Sequence, residues 1–328
     1  IAYPFRCKLT IKHRHPTGRS VLTNYLHNKA LWQQVETVTD SALACGALQS
    51  IPTHCETREI PFSESACGDN LMCFQIRVVE NLVRKSKEVQ QRAKQTPNPK
   101  DFDPFLPYDP ALYVGELTDH YRCLLNKFNV IDHHILMVTK QFLPQQTALN
   151  TEDFLAAQIC LQAQDGLVFY NGGPIAGASV EHKHLQMIPL PLSSTTIFPF
   201  ADLFSQLTLR EGICTEMPLS FRHRIMPTKC PTSTPYNQLK TFAEENCRGY
   251  YHLLKSLNLT MDRNGYMPPH NMLMTRDYLW VIPRTQESHQ GLTINALGFA
   301  GMLLVKNETQ LKLLDDIGCH ELLKAVTL

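Results

Sequence analysis

Apolar residues along the chain recur first at helical spacing. Leu31, Val35, Val38 and Ala42, with Gly46 behind them as a stop, predict an amphipathic helix over 30–45. Leu71 to Val79 is rich in β-formers and reads as a strand. Residues 94–110 carry Pro97, Pro99, Pro104, Pro107 and Pro110 and predict an extended connector rather than an element. Short β-like runs follow at 111–114, 121–125 and 134–139. Asn150 with Asp153 has the spacing of an N-cap, ahead of a helix carrying Leu155, Ala156, Ile159, Cys160 and Ala163 that stops at Asp165-Gly166.

Two further strands, 167–170 and 181–188, flank a glycine-rich turn, and a proline-punctuated loop covers 189–200. Leu239, Phe242, Ala243, Tyr250, Leu253 and Leu257 predict a long helix. Met272–Thr275 and Tyr278–Pro283 read as a hairpin, and Leu311, Leu314 and Ile317 before Gly318 as a last helix with its C-cap. Strands come in adjacent runs, with helices between the runs. That pattern predicts an α+β fold with an antiparallel sheet flanked by helices, not a βαβ series. Three regions are expected: a basic extension over 1–29, a central region over 30–200, and a C-terminal region over 201–328 packed on the same sheet.

Composition narrows the function classes. Of 328 residues, 43% are hydrophobic, which is enough for a buried core and excludes global disorder. The best apolar stretch, Gly298 to Val305, is far shorter than the ~18 residues of a membrane-spanning helix. The net charge of +1 hides an asymmetry: residues 1–31 hold six basic residues (Arg6, Lys8, Lys12, Arg14, Arg19, Lys29) and no acid. The remainder has 25 basic against 30 acidic residues, or −5. A mildly acidic body argues against nucleic-acid binding through a broad basic field, so an anionic ligand must be held locally. The basic leader is expected to be a poorly ordered extension, with a targeting segment as the other reading. Eleven dispersed cysteines without a C-x-x-C pair argue against a disulfide scaffold or a paired-cysteine zinc site, and for a reduced, cytoplasmic compartment. Cys123 and Cys160 read as small core residues.

The informative stretch runs from Tyr170 to Met187, with Gly172, Gly173 and Gly177 in its turn. On a strand, His182, His184 and Gln186 share one face, while Lys183, Leu185 and Met187 share the other. Glycines allow backbone N–H groups to approach phosphate oxygens closely, Ser179 adds a hydroxyl, and Asn171 an amide. An imidazole with an ordinary pKa is mostly neutral at pH 7 and can attack phosphorus without prior deprotonation. On the residues alone, two other readings stay open: His182 and His184 as metal ligands, and the glycines as a plain turn between strands.

His182-Lys183-His184-Leu185-Gln186, preceded by Asn171 and by Gly177-Ala178-Ser179, resembles the histidine-triad superfamily, in the transferase branch where Gln replaces the third His. Leu125 to Val130, running on to His134 and Lys140, is similar to that superfamily's strand pair. With Phe169 to Pro174, Asn271 to Thr275 and Ile282-Pro283-Arg284, the chain resembles the diadenosine tetraphosphate phosphorylase, or ATP adenylyltransferase, family over about nine-tenths of its length. The resemblance implies a histidine-triad-like antiparallel sheet in the central region. It implies His184 as the nucleophile that takes up AMP, and His182 as its support, through a backbone carbonyl holding the other ring nitrogen. Gln186 would contact phosphoryl oxygens; Asn171, Gly172, Gly173 and Ser179 would line the phosphate path; Asn126 would bind ribose; Lys85 would neutralise polyphosphate. His134 is expected to be structural, and Arg284 either a phosphate clamp or a surface residue.

The implied partners are a dinucleoside polyphosphate, ATP, ADP and inorganic phosphate, with a divalent cation, magnesium, accompanying the nucleotide and no metal ligand set of the protein's own. A neutral Gln186 positions phosphate without titrating, which favours transfer to phosphate over attack by water. A hexose-1-phosphate uridylyltransferase, a histidine-triad hydrolase and a non-catalytic nucleotide-binding regulator are the alternatives.

Overall fold

A computed structural model describes residues 28–61, 71–79, 103–192, 197–201, 219–232 and 234–327. Helix α1 (Asn28–Ala44) lays Leu31, Val35 and Ala42 on the core, and Gly46, at φ 75°, turns the chain away behind it. Strands β1 (Thr53–Pro61) and β2 (Leu71–Val79) pair antiparallel. The expected strand at 111–114 starts later. Pro110–Leu112 forms one 3-10 turn capped by Asp109, and β3 is Tyr113–Glu116. Strands β4 (Tyr121–Leu125) and β5 (Ile135–Thr139) follow, then α2 (Thr151–Ala163). The predicted cap of α2 is a reciprocal capping box: the Asn150 side chain accepts from the first turn, and Asp153 accepts from the Asn150 N–H at 2.7 Å.

Next come β6 (Gly166–Asn171), β7 (His184–Pro189), β8 (Arg224–Pro227), α3 (Tyr236–Ser256), β9 (His270–Met274) and β10 (Tyr278–Pro283). A two-residue ribbon, β11 (Ser288–His289) with β12 (Leu292–Thr293), precedes β13 (Met302–Val305), α4 (Glu308–Ile317) and α5 (Cys319–Ala325). The helix stops at Gly318 as the sequence pattern predicts, with the Gly318 N–H on the Leu314 carbonyl, but it is not the last one: α5 starts anew at Cys319. The apolar stretch from Gly298 builds a buried turn and β13, whose parallel pairing with β2 completes a small three-stranded sheet.

The main sheet has eight strands in the order β3-β4-β5-β7-β6-β9-β10-β8, every neighbouring pair antiparallel. The α+β expectation holds. One face of this sheet (Val168, Tyr170, Leu185, Met187, Met272, Val281) packs under α1, α2 and α3, together with Cys123 and Cys160. The other face is covered in two separate places. Leu167, Phe169, Ile188 and Trp280 lie under β2 and residues 292–326, and Leu124, Leu136 and Val138 lie under Phe105. His184 and Gln186 sit on this second face, in register with Val138 and Leu136. Among the described residues no helix is long and apolar enough to cross a membrane.

Candidate active site

Strand β7 carries the key residues, and its local geometry departs from a plain ladder. The β6–β7 pairing ends at Phe169↔Gln186. Beyond that point the Gln145 side chain replaces the missing ladder. Its Nε2 donates to the carbonyls of Asn171 (2.9 Å) and His184 (3.1 Å), and its Oε1 accepts from the His184 N–H at 2.9 Å. Gln145 is 1% exposed, so these bonds form out of water, where they hold the backbone of His184 most firmly. The glycine turn occupies the gap so opened.

His184 Nδ1 lies 2.8 Å from the carbonyl of His182, so Nδ1 carries the ring proton and donates it. Nε2 then holds the lone pair and has no partner among the described residues. Burial, opposed by that backbone bond, lowers the ring's pKa to about 4. The Phe105 ring stands edge-on at 5.3 Å and contributes to that dry surround. An imidazole kept neutral, fixed in one tautomer and open at Nε2 is a nucleophile ready to attack an electrophilic phosphorus.

His182 precedes the strand, yet its ring keeps to the His184 side of the sheet, against the same Phe105. Its Nδ1 meets Asp103 Oδ2 at 2.7 Å, and its Nε2 meets the hydroxyl and carbonyl of Thr139, each at 2.8 Å. Both ring nitrogens are thus engaged, and His182 acts on His184 through its carbonyl, as the resemblance implies. Two residues on from His184, Gln186 Oε1 lies 3.1 Å from His134 Nε2, while His134 Nδ1 lies 3.1 Å from Asn126 Nδ2. The structure therefore links Asn126 to Gln186 through His134, on the strand face that also carries His184.

The glycine turn departs from the cradle expected of it. Gly172 donates its N–H to the His270 carbonyl, Gly173 to that of Asn171, and Gly177 to that of Pro174. The N–H groups of Ser179 and Val180 are among those here without an acceptor among the described residues, and the Ser179 side chain is exposed beside them. The glycines are needed for space. A Cβ on Gly177, at φ 90°, would lie 2.7 Å from the Ile294 carbonyl, and one on Gly172 would lie 2.8 Å from that of His270.

Asn171 is buried, and its side-chain oxygen accepts from Asn271 Nδ2 and the Ala296 N–H, each at 2.9 Å, so that oxygen fastens the turn. Arg284 is neither a phosphate clamp nor a surface residue. It is 4% exposed, with NH1 on Asn271 Oδ1 and the carbonyls of Ala176 and Ile294, NH2 on the carbonyls of Gln286 and Glu287, and Nε on that of Val326. Burial pulls its pKa down to about 10. Lys85 lies outside the described residues, as does most of the basic leader. Sequence reasoning missed Gln145, Asp103 and the linking role of His134; nothing local marks the first two, which lie 39 and 79 residues from their partners.

Fold and site together define an α+β protein with a backbone-held, buried imidazole on one face of an antiparallel sheet. The family model for the Ap4A phosphorylase N-terminal domain matches residues 22–206, and that for the ATP adenylyltransferase C-terminal domain matches residues 217–328. The chain belongs to this Ap4A phosphorylase family. It is 31% identical over 252 residues to diadenosine 5',5'''-P1,P4-tetraphosphate phosphorylase 2 of Saccharomyces cerevisiae, covering 68% of this chain and 75% of that protein. It is 30% identical over 210 residues to Protein APA1 of the same yeast, covering 57% of this chain and 62% of that protein. The crystal structure of yeast Ap4A phosphorylase Apa2 superposes with a TM-score of 0.70 at 23% identity, over 92% of this chain and 99% of that one, which is a likeness of fold.

Proposed function

We propose that this enzyme phosphorolyses diadenosine tetraphosphate by adenylyl transfer in two displacements through His184. In the first, Nε2 attacks the α-phosphorus, an N–P bond forms, the P–O bond to the remaining triphosphate breaks, and ATP leaves. In the second, an oxygen of inorganic phosphate attacks the same phosphorus, the N–P bond breaks, and ADP leaves with His184 neutral again. The Nδ1–H keeps donating to the His182 carbonyl throughout, and that oxygen stabilises the positive charge the ring acquires. Gln186 and the free N–H groups at Ser179 and Val180 would donate to the developing negative charge on phosphoryl oxygens. Asn126 would reach the ribose only with its remaining hydrogen-bonding capacity, since its Nδ2 is turned toward His134.

The observation that carries this reading is the His184 ring, neutral and tethered at Nδ1 with Nε2 open. Magnesium, in this reading, arrives on the polyphosphate. The described cysteines are free thiols, which suits a reducing cytoplasmic setting. Incubation with diadenosine tetraphosphate tests the proposal: ATP and ADP in equal amounts are expected with phosphate present, and without it no ADP and no more than one ATP per enzyme. AMP carrying oxygen from labelled water would replace this reading with hydrolysis.

A further inference from the structure

A backbone N–H can only donate, and one such group sets the direction of a chain that ends at the reacting phosphorus. The Phe128 N–H donates to Asn126 Oδ1 at 3.3 Å, which fixes which end of the Asn126 carboxamide is oxygen. Its other end, Nδ2, therefore faces His134 Nδ1 at 3.1 Å as a donor, and that ring nitrogen must hold a lone pair. The His134 proton is then on Nε2, from which it is donated to Gln186 Oε1 at 3.1 Å. With Oε1 taken, the Gln186 Nε2, which has no acceptor among the described residues, is the end left for the site.

We infer that His134 is a positioning residue: in its Nε2–H tautomer it turns the Gln186 carboxamide so that the NH2 group, not the carbonyl oxygen, meets the transferred phosphoryl group. Unguided, an amide has two nearly isosteric orientations. One offers two donors to a phosphoryl oxygen and the other offers a lone pair that repels it. The surroundings hold the His134 ring in place. The Asn126 N–H bonds the His134 carbonyl at 2.8 Å, closing the loop between them, and Phe169 packs on the ring at 5.6 Å. His134 stands two residues before Leu136, the register partner of Gln186, so its ring lies in the same row.

The inference rests on the proposed contact between Gln186 and the phosphoryl group, and two measurements separate the two claims. Long-range proton–nitrogen NMR at mildly alkaline pH, with the signal assigned by its absence in His134→Gln, reads the tautomer without any substrate. The Nε2–H form is expected, and the Nδ1–H form overturns the inference. In kinetics, His134→Phe is expected to lower kcat about 10- to 100-fold, with KM moving far less. His134→Gln, whose amide can replace the Nε2 donor, is expected to recover most of the loss; both variants are checked for native folding by circular dichroism. A wild-type kcat in His134→Phe overturns the positioning role. If Gln186→Ala also turns over normally, the fault lies in the Gln186 contact; if Gln186→Ala is slow, it lies in His134.

Discussion

The two faces of β7 both carry buried polar side chains, and they use them in opposite ways. On the helix side, Lys183 and Asp153, both 0% exposed, form an ion pair at 2.8 Å. Lys183 also donates to the Ala148 carbonyl, Tyr121 donates to Asp153, and Asp153 caps α2. On the other side stand Gln186, His134, whose hydrogen bonds call for one tautomer, and His184, kept neutral by burial, and two of the three leave a nitrogen open. The helix face holds full charges whose hydrogen-bonding groups are satisfied, and it fixes the strand. The open face holds uncharged groups with unmatched capacity, and it can meet a ligand. Polar burial alone does not mark a site; unpaired donors and lone pairs held rigid by paired ones do. The Asn171–Asn271–Arg284 network makes the same point, since Arg284 has a use for every donor inside the fold.

This contrast can be broken from either side. The largest effect is expected from His184→Gly, which removes the proposed nucleophile. Transfer should fall by at least about 10⁴-fold while nucleotide binding, read by calorimetry, persists. Lys183→Met strikes the opposite face and strands a buried carboxylate. A loss of about 3–5 kcal/mol in unfolding free energy is expected by denaturant titration, with the folded fraction still active. Gln145→Leu leaves the His184 N–H and two carbonyls unmatched and loosens the nucleophile, so kcat should drop about 10- to 100-fold with a smaller change in KM.

A further expected effect is one of pH and leaves activity at neutral pH untouched. Because burial lowers His184 to about 4, the acid limb of kcat/KM should fall near pH 4, well below the ordinary histidine value of 6.5. His270 is likewise pulled to about 4 by burial. Between pH 6.5 and 4 the unfolded chain binds protons at both positions that the native chain does not. Stability should therefore fall with acid across that window, by up to about 1.4 kcal/mol per pH unit for each ring.

Much of this was legible in the sequence, and the residues show why. The period-two alternation from His182 to Met187 placed His184 and Lys183 on opposite faces, and Asn150 with Asp153 announced the start of α2. The pairs that make the site work were not legible. Asp103 reaches His182 across 79 residues and Gln145 reaches His184 across 39, and neither spacing follows a helical or strand period. The strand at 224–227 and the β2–β13 pairing were missed for a similar reason: such short segments become strands by what they pair with. Arg284, expected as a phosphate clamp or a surface residue, was not legible either, because its six oxygen acceptors include ones up to 108 residues away.

The most direct test of the central claim is to mix the enzyme with α-labelled diadenosine tetraphosphate without phosphate, quench rapidly in alkali, and locate any label by peptide mass spectrometry. The account predicts AMP bound through nitrogen to His184, released as ADP when phosphate is added before the quench. A fully active enzyme that carries no label on His184, or carries it on another residue, would contradict it.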